Sequence, residues 1–112
     1  MSDEASDLLN ILRHTIWSEL RLNKADLTLR QLGIFLIVYR TPEPQTVRGL
    51  AKMLSIGKPI VTRSLNRLSD TDLVQRARDP ADGRNILVTR TEQGDAMMRR
   101  LGEAMAAASL SR

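Results

Sequence analysis

The spacing of apolar residues along this chain switches from helical to alternating and then back, and that switch constrains the fold more than any other feature. Up to residue 69 the apolar positions recur every three or four residues. Beyond Ser69-Asp70-Thr71-Asp72, the stretches Leu73-Val74-Gln75-Arg76-Ala77-Arg78 and Asn85-Ile86-Leu87-Val88-Thr89-Arg90 read as strands, with β-branched and aliphatic side chains. Between them, Asp79-Pro80-Ala81-Asp82-Gly83-Arg84 is a strong turn signal. A single β-hairpin with a flexible, charged tip is therefore expected inside a chain that is otherwise helical.

The residues just before the hairpin, 46 to 69, predict two short helices joined by a tight turn. Val47, Leu50, Ala51 and Leu54 fall at helical spacing and face inward on the first. Ser55-Ile56-Gly57 interrupts it, with Gly57 able to take backbone angles that a side chain would forbid. Lys58-Pro59 reopens a helix, since proline in a first turn forfeits no intrahelical hydrogen bond. Val61, Leu65 and Leu68 make the apolar stripe of this second helix, and Lys58, Pro59, Thr62, Arg63, Asn66 and Arg67 lie opposite, with no carboxylate before Asp70. Arg, Lys, Asn and Thr hydrogen-bond base edges and phosphate oxygens, whereas a carboxylate there would repel the phosphates. Taken alone, the segment reads equally well as an ordinary solvated helix face beside a bend, an arrangement common in all-α proteins.

Elsewhere the pattern is helical. From Asp7, an expected N-cap after a frayed start, Leu8, Leu9, Ile11, Leu12, Ile16, Trp17 and Leu20 form an apolar arc wider than one side of a small domain needs. Asn23-Lys24-Ala25-Asp26 reads as a connector. Thr28 and Gln31 make a capping box for a helix that is apolar nearly all round and so expected to be the most buried. Thr41-Pro42-Glu43-Pro44-Gln45 ends it, and Thr46 caps the next helix. Thr91 caps a final helix with Glu92 and Asp95 in its first turns, an apolar side through Ala96, Met97, Leu101, Ala104, Met105 and Ala108, and fraying near Ser109.

Charge is concentrated. Residues 46 to 90 carry nine Lys or Arg against four Asp, a net of +5, while the whole 112-residue chain carries +4. Clustered positive charge is the footprint of a polyanion partner. Trp17, Phe35 and Tyr39 are the only aromatic residues and none lies in the basic segment, so stacking on unpaired bases is poorly supplied. Cysteine is absent, which removes disulfides, thiolate metal sites and a cysteine nucleophile together. The longest apolar run, Leu32 to Tyr39, is far short of the ~20 residues that span a bilayer. The acidic N-terminus lacks a secretory signal, so a cytoplasmic protein is expected.

Helix, helix, helix-turn-helix, hairpin, helix is the order of a winged helix-turn-helix domain, mainly α with a small β-hairpin. The sequence resembles the MarR family of bacterial transcriptional regulators over about residues 28 to 108. The matching residues include Val61-Thr62-Arg63, Leu65 and Leu68, Leu73-Val74, Arg76, Leu87-Val88 and Thr91-Glu92-x-Gly94, and most specifically the Asp79-Pro80-x-Asp82-x-Arg84 turn. The resemblance implies a homodimer on pseudo-palindromic double-stranded DNA, residues 28–90 forming the DNA-binding domain and residues 1–27 and 91–112 the dimerisation helices. It implies that Lys58, Thr62, Arg63 and Asn66 contact bases or phosphates and that Arg48 and Arg67 clamp the backbone. Arg84 would enter a minor groove while paired with Asp82, the orienting residue. A small-molecule effector of no stated identity is implied as well; no cofactor or metal is. Pro59-Ile60 replaces small hydroxyl residues, Asp72 stands where a glycine usually ends the recognition segment, and the family's further dimerisation helix has no expected counterpart.

A second reading comes from another class: a winged-helix module for protein assembly, its basic face meeting an acidic partner. Enzyme chemistry has little to stand on. His14 is the only histidine, the acidic pairs fall in termini or turns, and no glycine-rich phosphate loop occurs.

Overall fold

The computed structural model describes residues 1–22 and 26–111; the expected connector at Asn23-Lys24-Ala25 lies outside the described residues. In order, the elements are α1 (Asp3–Arg21), α2 (Leu29–Arg40), β1 (Gln45–Thr46), α3 (Val47–Leu54), α4 (Lys58–Asp70), β2 (Val74–Arg78), β3 (Ile86–Arg90) and α5 (Glu92–Leu110). The chain divides into two compact units, Leu27–Asp95 and the terminal segments Met1–Asp26 with Ala96–Arg112.

The unit Leu27–Asp95 is built on the fully buried side chains of Ile34, Phe35, Leu50, Val61, Leu65, Leu68 and Val74. Each such side chain stabilises the fold by about 1.5–3 kcal/mol relative to exposure. The Thr28–Gln31 capping box starts α2, with both reciprocal hydrogen bonds made at 2.9 and 3.1 Å. α2 is less enclosed than its composition predicts. Ile34, Phe35, Val38 and Tyr39 are buried, yet Leu29 is 86% exposed and Leu36 also faces solvent, because α4 and β3 cover only one side of the helix.

The hairpin is present but belongs to a three-stranded antiparallel sheet of order β1-β3-β2. Gln45 pairs with Val88 and Thr46 with Leu87. Two residues behind two prolines are too few to show a strand period, so β1 was not visible in the sequence pattern. Thr46 also caps α3, its hydroxyl accepting from Gly49 N at 2.9 Å.

Both helices of the helix-turn-helix end in the same geometry. At the end of α3, Ser55 adopts left-handed angles (φ 54, ψ 44), Ile56 N donates to Ala51 O at 3.1 Å and Ser55 N to Lys52 O at 3.3 Å. At the end of α4, Asp72 has φ 60, Leu73 N donates to Leu68 O at 2.8 Å and Asp72 N to Ser69 O at 3.0 Å. These are paired C-terminal bonds that satisfy otherwise orphaned carbonyls. The left-handed residue in the turn is thus Ser55, and Gly57, though able to take such angles, is extended (φ −70, ψ 150) as the N-cap of α4.

α5 is tied down at its start. Thr91 Oγ1 accepts from Gly94 N at 3.0 Å and donates to Asp72 O at 2.7 Å. The buried Tyr39 hydroxyl donates to Leu73 O at 2.6 Å and accepts from Thr91 N at 2.9 Å. A Cβ on Gly94 would collide with that hydroxyl and with the Leu73 carbonyl, so only glycine fits.

In the terminal unit, α1 begins at Asp3 with Ser2 as its N-cap, five residues before the expected Asp7 cap. Ser2 Oγ accepts from Ala5 N at 3.1 Å, and Asp3 and Glu4 sit in the first turn, where the helix dipole favours them. Ile11, Thr15, Met97 and Leu101 are buried. Arg100 forks onto Glu19 with bonds of 3.0 and 3.1 Å, which raises the guanidinium pKa above its ordinary value. The outer side of α1 leaves Leu8, Leu9, Leu12, Trp17 and Leu20 exposed, the excess already visible in the wide apolar arc.

Candidate nucleic-acid interface

The buried residues of α4 are Val61, Ser64, Leu65 and Leu68, one stripe at helical spacing. Fixing that stripe fixes the other side. Lys58, Pro59, Arg63, Asn66 and Arg67 are exposed, and Thr62 is half-buried at the edge of the same face. Ser64 is the one polar residue on the buried stripe, a position that the residue pattern did not single out. No acidic residue occupies the first turn of α4. Among the described residues, the ion pairs are Arg84–Asp82 and Arg100–Glu19, so Lys58, Arg63 and Arg67 carry charge with no carboxylate partner within 4.0 Å. Arg48 is exposed in the first turn of α3.

The tip joining β2 and β3 is closed by its own hydrogen bonds rather than loose, as the turn residues alone had suggested. Asp79 N donates to Asn85 O at 3.0 Å, Asn85 N to Asp82 O at 2.9 Å and Ala81 N to Asp79 Oδ1 at 2.8 Å. Asp82 Oδ1 accepts from Arg84 N at 3.1 Å and from Arg84 Nε at 3.3 Å. The Arg84 side chain is nonetheless 86% exposed, and Asp82 41%. One carboxylate therefore orients an outward-pointing guanidinium without burying it, at little cost in desolvation.

Not every cation of the central segment joins this surface. Arg90, itself exposed, folds back onto the end of α2: its guanidinium donates to Val38 O at 3.1 Å and Thr41 O at 3.0 Å, and lies over the Tyr39 ring. It caps the carbonyl end of α2, where a cation complements the helix dipole. Segmental charge counts cannot make that distinction. Among the described residues no cluster of His, Cys, Asp or Glu is placed to hold a metal ion, and no helix is long and apolar enough to cross a membrane. His14 lines an open groove with Asp7, Asn10 and Arg13.

The family model described as MarR family matches residues 25–85, more than half of the chain. Among solved structures, the fold is similar to that of the transcriptional regulator Tm0710 from Thermotoga maritima, at 22% identity and a TM-score of 0.73, over 87% of this chain and 66% of that one. It is similar to the PcaV transcriptional regulator from Streptomyces coelicolor in complex with its natural ligand, at 22% identity and a TM-score of 0.62, over 93% and 72%. It is also similar to overoxidized AbfR bound to DNA, at 25% identity and a TM-score of 0.62, over 96% and 85%. The chain spans just under two thirds of the length of the first of these. The residues matched by the family model run from the start of α2 through the wing tip, the part that carries the cationic face, and the chain belongs to the MarR family of winged-helix transcriptional regulators, which are transcription factors and not enzymes.

Proposed function

We propose that the chain is a sequence-specific, double-stranded DNA-binding regulator that acts in the cytoplasm as a homodimer on a pseudo-palindromic operator, and that it represses by occupying that site. One observation carries the reading: α4 has one side fully committed to the core and an opposite side of Lys58, Thr62, Arg63, Asn66 and Arg67, with the exposed Arg84 on the wing that follows it. A helix so presented suits the major groove, and a wing arginine suits a narrow, electronegative minor groove. Arg63 and Asn66 are assigned to base edges, Lys58 and Thr62 to bases or phosphates, and Arg48 and Arg67 to the backbone; Asp82 orients Arg84. The similarity to AbfR bound to DNA supports the duplex as ligand, and the similarity to PcaV with its natural ligand supports a small-molecule effector. The exposed apolar side of α1 supports a second copy of the chain as partner.

Selection of bound duplexes from a random pool tests the proposal. The expected product is an inverted pair of half-sites spaced by roughly 10 base pairs or a multiple. Arg63→Ala and Asn66→Ala are each expected to weaken the selected site by about 1–3 kcal/mol and random duplex by less. Equal losses on both would remove base reading from those residues. If each protomer neutralises four or five phosphates, the log–log salt slope is expected to be roughly −8. A monomer that ignores duplex DNA at low salt would favour the assembly module with an acidic protein partner instead.

A further inference from the structure

The Gly83–Arg84 peptide group is gripped at both ends. Its N–H, on Arg84, donates to Asp82 Oδ1 at 3.1 Å, and its C=O, on Gly83, accepts from Arg78 Nη1 at 2.9 Å. A peptide group is rigid and planar, so holding its two ends fixes its orientation, and with it the N–Cα bond on which the Arg84 side chain is carried. Without those bonds the glycine would let that plane turn, because its backbone is the least restricted of all residues. Asp82 was visible as an orienting residue from the wing motif. Arg78 was not, since it lies outside that motif, at the end of β2, and reaches its target only across the folded loop.

Resting on the DNA-binding reading above, we infer that Arg78 is a positioning residue for the wing: it holds the Gly83 carbonyl, and through that peptide sets how Arg84 meets the minor groove. Its contribution to recognition passes through Arg84 and not through a phosphate of its own. Three consequences separate the two roles. A positioning residue changes flank preference more than overall affinity, leaves the salt slope intact, and has nothing left to contribute once Arg84 is gone.

The experiment uses the full chain as wild type, Arg78→Met, Arg84→Ala and the double variant. Each is titrated at several salt concentrations against duplexes that share the selected half-sites and differ only in A·T-rich or G·C-rich flanks. Arg78→Met is expected to reduce the A·T preference about three- to tenfold, to leave the salt slope unchanged, and to add no loss to Arg84→Ala. In the free protein it is expected to speed amide hydrogen exchange at Arg84 and Asn85 several-fold, a change that needs no DNA. A slope reduced by about one unit per protomer, with equal and additive losses on both flanks, would make Arg78 a phosphate contact and overturn the inference. Unchanged exchange and unchanged preference would overturn it too. Wild-type protein that fails to bind duplex would end the DNA reading and the inference together, whereas normal wild-type binding with an unaffected Arg78→Met variant ends the inference alone. Arg78 is exposed, so Arg78→Met is expected to melt with the wild type.

Discussion

Asp72 holds the chain at φ 60 just after α4, where a side chain is disfavoured and glycine is not. Its carbonyl takes the Thr91 hydroxyl, and its N–H closes onto Ser69 O; both are backbone functions that survive substitution. Asp72→Gly is therefore expected to stabilise the protein by about 0.5–1 kcal/mol, partly offset by glycine's extra freedom in the unfolded chain, as measured by urea denaturation. A loss of stability would mean that the carboxylate contributes something that the geometry leaves out. Asp72 could be read from the sequence because it replaced an expected glycine at a known kind of position. Ser55 could not be read in the same way. Gly57 stands two residues away and is the residue best able to take left-handed angles, yet freedom to adopt a conformation is no requirement to use it. The outward residues of α4 were legible for a simpler reason: Val61, Leu65 and Leu68 fix the helix rotation, and everything opposite follows.

At the level of elements, the most constrained junction is the start of α5. Tyr39 spans the gap between the end of β2's approach and the Thr91 cap through one hydroxyl, and Gly94 leaves that hydroxyl its space. Gly94→Ala replaces a residue that helices disfavour with the best helix former, so propensity alone forecasts about 1 kcal/mol of stabilisation. The collision outweighs it, and the expected net result is a loss of about 1–3 kcal/mol in chemical denaturation, with Tyr39 displaced. A stabilised variant would show that the tyrosine moves aside freely. Caps at Thr28, Thr46 and Thr91 were legible because cap chemistry is local and each stands alone before its helix. Ser2 was missed because Ser2, Asp3 and Asp7 all qualify as caps by residue type, and only the observed bond to Ala5 N decides among them. The capping role of Arg90 was not legible because its carbonyl partners are about fifty residues away, beyond the reach of any local pattern.

For the molecule as a whole, the proposed homodimer rests on α1, whose apolar arc is larger than the chain itself covers; Trp17 is 51% exposed and Leu12 52%. Leu12→Glu is expected to shift the protein to a monomer in sedimentation while leaving its circular dichroism unchanged, since Leu12 packs little surface within one chain. Loss of the second arm is expected to weaken a two-half-site duplex about 10²- to 10⁴-fold and a single half-site hardly at all. A variant that remains dimeric would move the interface elsewhere. Thr46, finally, is a member of two structures: its backbone pairs with Leu87 in the sheet that carries the wing, and its hydroxyl closes the first turn of α3. Peeling β3 away thus also frays the start of the helix-turn-helix. Strand and helix start are hinged on one residue, and a grip on the ribbon is expected to stiffen the first turn of α3 as well.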